Sequence, residues 1–142
     1  MRVLIAGHKG QLGTSLQVTL DGHEILGVDL PEHDITDPVS ILDVVADYQP
    51  DVVINTAALT DVDGCERNPE LAFRVNALGA QNMALACSRL GVAMVQLSTN
   101  DVFDGRLGRP YYEWDTPTPQ SVYARSKAAG EFYVRTLLQR FY

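Results

Sequence analysis

An α/β fold built on a doubly wound parallel sheet is what the sequence predicts, and three observations carry that expectation. Short apolar runs alternate with segments of helical rhythm along the whole chain. The first run, Arg2-Val-Leu-Ile-Ala6, opens straight into a glycine-spaced turn, Gly7-His-Lys-Gly10-Gln-Leu-Gly13. The second run, Glu24-Ile-Leu-Gly-Val28, ends in an acid, Asp29. Short continuous apolar runs are the signature of strands covered on both faces, and strands separated by helices pair in parallel.

In chain order, Arg2–Ala6 reads as the first strand. The glycines read as a tight strand-to-helix turn, with Thr14 to Leu20 in the helix that follows. Glycine is needed where φ is positive, where a pyrophosphate approaches the backbone, and where helix and strand pack closely. The helix start offers free N–H groups to phosphate. Asp29 falls about 20 residues beyond the turn, where a ribose 2′-hydroxyl would sit. Dinucleotide binding is therefore expected, with NADH favoured by the carboxylate and His8 and Lys9 in the turn softening that preference.

Pro38 to Tyr48 carries Val39, Leu42, Val45 and Ala46 at helical spacing, with Asp37 as N-cap and Pro38 at the first helical position. Asp51–Asn55 reads as the third strand. Asn68-Pro69 opens a long helix through Leu90, with Gly91 just past its end. Its apolar residues form two stripes: Leu71, Val75, Leu78 and Leu85, and then Phe73, Ala77, Ala80, Ala84 and Cys87. Two stripes imply burial on more than one side, against the last helix and, in a sharper version, across a symmetric dimer. Val92–Leu97 reads as the fourth strand, Gly105 to Gln120 as an ordered loop, and Ser121 as the cap of a final helix.

The 142 residues make one domain, and 46% apolar with 20% charged residues is a globular composition. A net charge of −7 argues against nucleic acid or an anionic membrane surface as the main partner. No apolar run approaches the ~20 residues of a membrane span. Cys65 and Cys87 lack motif spacing and are expected as reduced thiols in the cytoplasm. His8, His23 and His33 are scattered, and no metal site is read.

The chemistry is expected beyond the carboxyl ends of the strands. Asn55-Thr-Ala-Ala58 follows the third strand, and its small residues admit a flat ring or a ribose. Ser98-Thr99-Asn100-Asp101 follows the fourth. Tyr123 and Lys127 lie four apart, hence on one helix face. A phenol ordinarily titrates near ~10, and a neighbouring cation makes it a readier proton donor. A Thr99 hydroxyl beside it would hold a substrate carbonyl by two hydrogen bonds.

The chain resembles the extended short-chain dehydrogenase/reductase superfamily, and within it the dTDP-4-dehydrorhamnose reductases. The likeness runs over nearly the whole chain. It rests on Gly7–Gly13, Asp34-Ile-Thr-Asp37, Val53-Ile-Asn-Thr-Ala-Ala-Leu-Thr-Asp-Val-Asp63, Val75-Asn76, Leu97-Ser-Thr-Asn-Asp-Val-Phe-Asp-Gly105 and Tyr123-Ala-Arg-Ser-Lys-Ala-Ala-Gly-Glu131. The resemblance implies a Rossmann fold and a catalytic triad of Thr99, Tyr123 and Lys127. It implies NADH or NADPH held by Gly7, Gly10, Gln11, Leu12, Gly13, Asp29, Asp34, Ile35, Ala57, Ala58, Thr60, Asn76, Tyr123 and Lys127. A nucleotide sugar would lie near Asn100 and Asp101, its 4-keto group being reduced. The reductases usually carry Asp-Tyr where Asn100 and Asp101 stand, and often Gly in place of Ala124.

Two other readings stay open. One is another superfamily enzyme, a nucleotide-sugar dehydratase or epimerase, although Asn100 does not ionise and serves poorly as an elimination acid. The other is a non-catalytic NAD(P)-binding regulatory subunit, against which the Thr99, Tyr123 and Lys127 set argues. Superfamily members run to about twice this length. The resemblance therefore implies that residues 1–142 hold the NAD(P)-binding domain and that the C-terminal strands and substrate domain are absent. Such a chain is expected to bind dinucleotide weakly and to reduce no sugar by itself. Val134, Leu137, Leu138 and Phe141 would then lack part of their cover.

Overall fold

The computed structural model describes all of residues 1–142. Four parallel strands, β1 (Arg2–Ala6), β2 (Glu24–Val28), β3 (Val52–Asn55) and β4 (Ala93–Gln96), lie in the order β2-β1-β3-β4. The register sets Leu4 against Leu26 on one side and against Val53 on the other. Val3, Leu4, Ile5 and Ala6 are all buried in succession. Successive side chains point to opposite faces, so an unbroken buried run means that helices cover both faces of β1. The chain leaves β1 in one direction to reach β2 and returns to the other side for β3. That reversal makes the crevice beside β1 the switch point of a Rossmann-type sheet.

The helices are α1 (Gln11–Thr19), α2 (Pro38–Tyr48), α3 (Val62–Arg67), α4 (Pro69–Phe73), α5 (Ala80–Leu90) and α6 (Val122–Leu137). Helix α1 starts three residues earlier than the sequence suggested, because the Thr14 N–H already bonds the Gly10 carbonyl (2.9 Å) and draws Gln11 and Leu12 into the first turn. Asp37 caps α2 as expected, accepting from the Val39 and Ser40 N–H groups. The short helix α3 was not anticipated; Asp61 caps it through the Gly64 N–H at 2.9 Å. β3 and β4 are each slightly shorter than the apolar runs that announced them.

The long helix foreseen from Pro69 to Leu90 is continuous but not uniform: Arg74–Gly79 forms a π-helical segment between α4 and α5. Helix α5 packs against α2 on one flank and α6 on the other. Its second apolar stripe is thus covered within the fold: Ala77, Ala80, Ala84 and Cys87 are buried, while Phe73 and Leu78 stay exposed. Val134 and Leu138 are also buried, contrary to the expectation of missing cover. Both join the core around Met83, Cys87 and Met94; beside β4 the Tyr142 N–H donates to the Met94 carbonyl, the Met94 N–H donates to the Arg140 carbonyl, and Phe141 bridges Met94 in parallel. Leu137 is half-buried and Phe141 exposed. No helix is long and apolar enough to cross a membrane.

Gly130 is where α6 meets the π-helical segment. A Cβ there would lie 2.5 Å from the Asn76 carbonyl oxygen, a backbone atom that cannot step aside. Gly130→Ala is expected to cost ~1–3 kcal/mol of stability through overpacking, despite alanine's better helix propensity. Urea denaturation measures this; an unchanged or raised midpoint would show that the two helices do not approach so closely.

Candidate functional site

A cleft of about 670 Å³ opens beyond the carboxyl ends of β1, β2 and β3. Its floor is the first glycine turn. Gly7 has φ +79°, and a Cβ there would stand 2.6 Å from the Ala57 backbone nitrogen. Both the conformation and the space therefore exclude any side chain. The Gly7 N–H bonds the Val28 carbonyl (2.9 Å) and the Gly10 N–H bonds the Gly7 carbonyl (3.0 Å), which folds the turn tightly over the strand ends. Gly10 stands at the N-cap of α1 and supplies no side-chain cap, so the first-turn N–H groups of α1, at Gln11 and Leu12, remain open at the positive end of the helix. Gly13 acts differently. It is buried, and a Cβ there would overlap the Gly7 carbonyl oxygen and crowd His8 Cα; its smallness lets α1 approach the turn.

Asp29 lines the cleft at the end of β2. Its carboxylate accepts from the Lys9 N–H (3.0 Å) and from the Leu30 N–H (2.8 Å), which locks the acid onto the glycine turn. The Lys9 ammonium turns back onto the same loop, bonding the Leu30 carbonyl (2.6 Å) and the Glu32 carboxylate (2.9 Å). That hydrogen bond holds Glu32 below the usual carboxylate range. Asp34, Ile35, Thr56, Ala57 and Ala58 also line the cleft, as do Leu71, Arg74 and His33, to which the sequence assigns no such place. Leu71 and Val75 fall on an apolar stripe that predicts a core face, and an apolar residue facing a cleft leaves no different mark in a sequence from one facing a core. Arg74 carried no signal at all. Thr60 and Asn76 do not line the cleft.

Asn76 is instead buried in the π-helical segment with its amide fully engaged. Its Oδ1 accepts from the Leu59 N–H (2.8 Å), and its Nδ2 donates to the Leu59 carbonyl (3.0 Å) and to Ser126 Oγ (3.0 Å). One side chain thus ties the loop after β3 to α6. Such π-helical segments recur where a helix must aim a side chain out of the regular ladder.

The second half of the site lies where α6 meets the end of β4. Ser121 caps α6 through the Ala124 N–H (3.1 Å), and the Glu66 carboxylate of α3 accepts from the Val122 N–H (2.7 Å). Lys127 is only 5% exposed, and its ammonium donates to the Leu97 carbonyl at 2.6 Å. Burial pushes the ammonium below its ordinary value, partly opposed by Glu131 one turn on. Tyr123, half-buried, sits one turn before Lys127. Thr99, also half-buried, lies two residues beyond Leu97 and caps a 3-10 turn, Asn100–Val102, by accepting from the Asp101 N–H (3.2 Å). Ser98 Oγ donates to the Glu131 carboxylate. Helix α6 packs on the 3-10 turn that Thr99 caps. Asn100 and Asp101 are exposed there. A phenol one turn from a partly desolvated ammonium is an arrangement suited to delivering a proton.

The family model described as the RmlD substrate binding domain matches residues 1–142. Among curated proteins, a dTDP-4-dehydrorhamnose reductase of Mycobacterium tuberculosis is 46% identical over 136 residues, which are 92% of this chain and 44% of that protein. A solved dTDP-4-dehydrorhamnose reductase of Clostridium acetobutylicum superposes with a TM-score of 0.97 at 40% identity, covering 100% of this chain and 51% of the other. The enzyme of that name from Bacillus anthracis, solved in complex with NADP, gives 0.96 at 38% identity and covers 99% and 51%. The chain therefore spans about half the length of the relatives it matches.

The buried Lys127 makes a pH-dependent prediction. Its folded-state pKa lies below the ordinary 10.5, so between the two values the unfolded chain binds more protons than the folded one. Stability carried by this group therefore rises with pH across that window. The stability of the wild type relative to Lys127→Met is expected to increase as pH is raised from neutral towards 10.5. Paired urea titrations at several pH values measure the difference; a difference that stays flat or falls would show that the ammonium is not desolvated.

Proposed function

Because the chain belongs to the RmlD substrate binding domain family, among the extended short-chain dehydrogenases/reductases, we propose that it supplies the dinucleotide-binding part of a reductase. That enzyme would reduce the 4-keto group of a nucleotide-linked deoxysugar, as in dTDP-L-rhamnose formation. The observation that carries the reading is the pairing of two features on one sheet. Gly7 leaves a turn that a Cβ would fill, and the buried Lys127 ammonium is docked at the end of β4 one turn from Tyr123. The residues present fit a dinucleotide. The open N–H groups of α1 suit a pyrophosphate, Asp29 a ribose hydroxyl, and Ala57 and Ala58 a close flat approach.

When bound, NADH or NADPH supplies the hydride. The chain's own residues do the remainder. Tyr123 delivers a proton to the oxygen of the reduced carbonyl. Lys127, held by the Leu97 carbonyl, keeps a positive charge on the phenol's side of the helix and favours release of that proton. Thr99 offers a second hydroxyl to the same oxygen and sets its orientation. Asn100 and Asp101, exposed in the 3-10 turn that Thr99 caps, would meet the sugar. The two cysteines are buried free thiols, with Cys87 pushed up to about 12 by burial, which suits a reducing, cytoplasmic setting.

Tyr123→Phe, made in a reductase of full family length, is expected to lower kcat by ~10²–10⁴ while dinucleotide affinity stays near that of the wild type. Steady-state kinetics with a nucleotide-linked 4-keto sugar, beside equilibrium binding of NADH, measures both quantities. Turnover within a few-fold of wild type would remove Tyr123 from the proton-donor role.

A further inference from the structure

Beside Asp29, Lys9 of the cleft lining is paired with Glu32 of the neighbouring groove, an ion pair that the reaction does not use. Asp29 is expected to meet the 2′-hydroxyl of a bound NADH, and its carboxylate is bonded to the backbone N–H of Lys9. The Lys9 side chain starts at that point and would otherwise be the cation nearest a 2′-phosphate. It is not free: the ammonium spans the Leu30 carbonyl at 2.6 Å and the Glu32 carboxylate at 2.9 Å. Glu32 makes no ion pair other than this one. Lys9 is about half exposed and Glu32 more so, so the pair is solvent-screened and separates at modest cost.

We propose that Glu32 is a specificity-determining residue, which biases the cleft towards NADH by holding the Lys9 ammonium away from the position of a 2′-phosphate. The proposal rests on the cleft being the dinucleotide site. A 2′-phosphate arriving there meets the Asp29 carboxylate, and the cation on the same turn, Lys9, is already engaged by Glu32 from outside the cleft. Binding it requires the Lys9 ammonium to leave Glu32 and swing to the phosphate. The 2′-hydroxyl of NADH needs no such exchange, because it is served by Asp29 alone. Arg74, exposed on the opposite helix and without an ion-pair partner, is the other cation that lines the cleft and the rival candidate for a 2′-phosphate.

The test is isothermal titration of NADH and of NADPH into the wild-type chain and into Glu32→Gln, Lys9→Met and Arg74→Ala. Glu32→Gln is expected to tighten NADPH by about three- to tenfold, the range of one exposed ion pair plus one removed repulsion. It should leave NADH within twofold. Lys9→Met should weaken NADPH and leave NADH nearly unchanged, and Arg74→Ala should affect the two nucleotides alike. If both bind but Glu32→Gln leaves their ratio as in the wild type, or Arg74→Ala alone abolishes NADPH binding, the role of Glu32 is overturned while the cleft remains the cofactor site. If neither nucleotide binds to the wild type, the cofactor assignment falls and this inference falls with it.

Discussion

The buried amide of Asn76 is the contact on which the rest of the site depends. It satisfies both the N–H and the carbonyl of Leu59 and reaches Ser126 as well. Leu59 follows directly on Ala57 and Ala58 of the cleft, and Ser126 directly precedes Lys127. The amide therefore fixes how far the cleft lies from the phenol and the ammonium. Leaving any of these buried groups unpaired costs roughly 1–3 kcal/mol, so the arrangement holds as a unit. The π-helical segment and Gly130 serve the same contact, since they allow the Asn76 backbone to come against α6.

Around that fixed distance the sheet distributes its tasks by position. The end of β1 carries the glycine turn, the end of β2 the acid, the end of β3 the small residues, and the end of β4 the Leu97 carbonyl that takes the lysine. Each comes from a different strand, and the parallel register aligns their carboxyl ends along one side. The electrostatics follow. Helix α1 presents its open positive end to the cleft, while Lys127 is kept in a partly desolvated niche where its charge acts strongly on whatever stands beside it.

Much of this was legible in the sequence because the relevant physics is local. The apolar runs fix β1 to β4, the Asp37 and Ser121 caps fix the starts of α2 and α6, and the i, i+4 spacing of Tyr123 and Lys127 puts them on one face. What the sequence did not disclose depends on distant partners. The π-helical segment of the long helix lies where Gly79 accommodates Ile35 and Gly130 meets Asn76, contacts spanning more than forty residues. The role of Asn76 as a tie, rather than a wall of the cleft, was hidden for the same reason. The burial of Val134 and Leu138 was hidden as well, because it depends on a core shared with Met83, Cys87 and Met94 from distant elements.

The central claim is that one chain joins a dinucleotide cleft to the Tyr123–Lys127 face through a fixed spacing. Mapping backbone amide chemical shifts during titration of the chain with NADH tests it most directly. The account predicts saturable shifts at Gly7, Gly10, Gln11, Leu12, Asp29, Ala57 and Ala58, together with a response at Tyr123 to Lys127 at the far end of the ligand. Shifts absent from the glycine turn, or confined to a surface away from the ends of the strands, would contradict it.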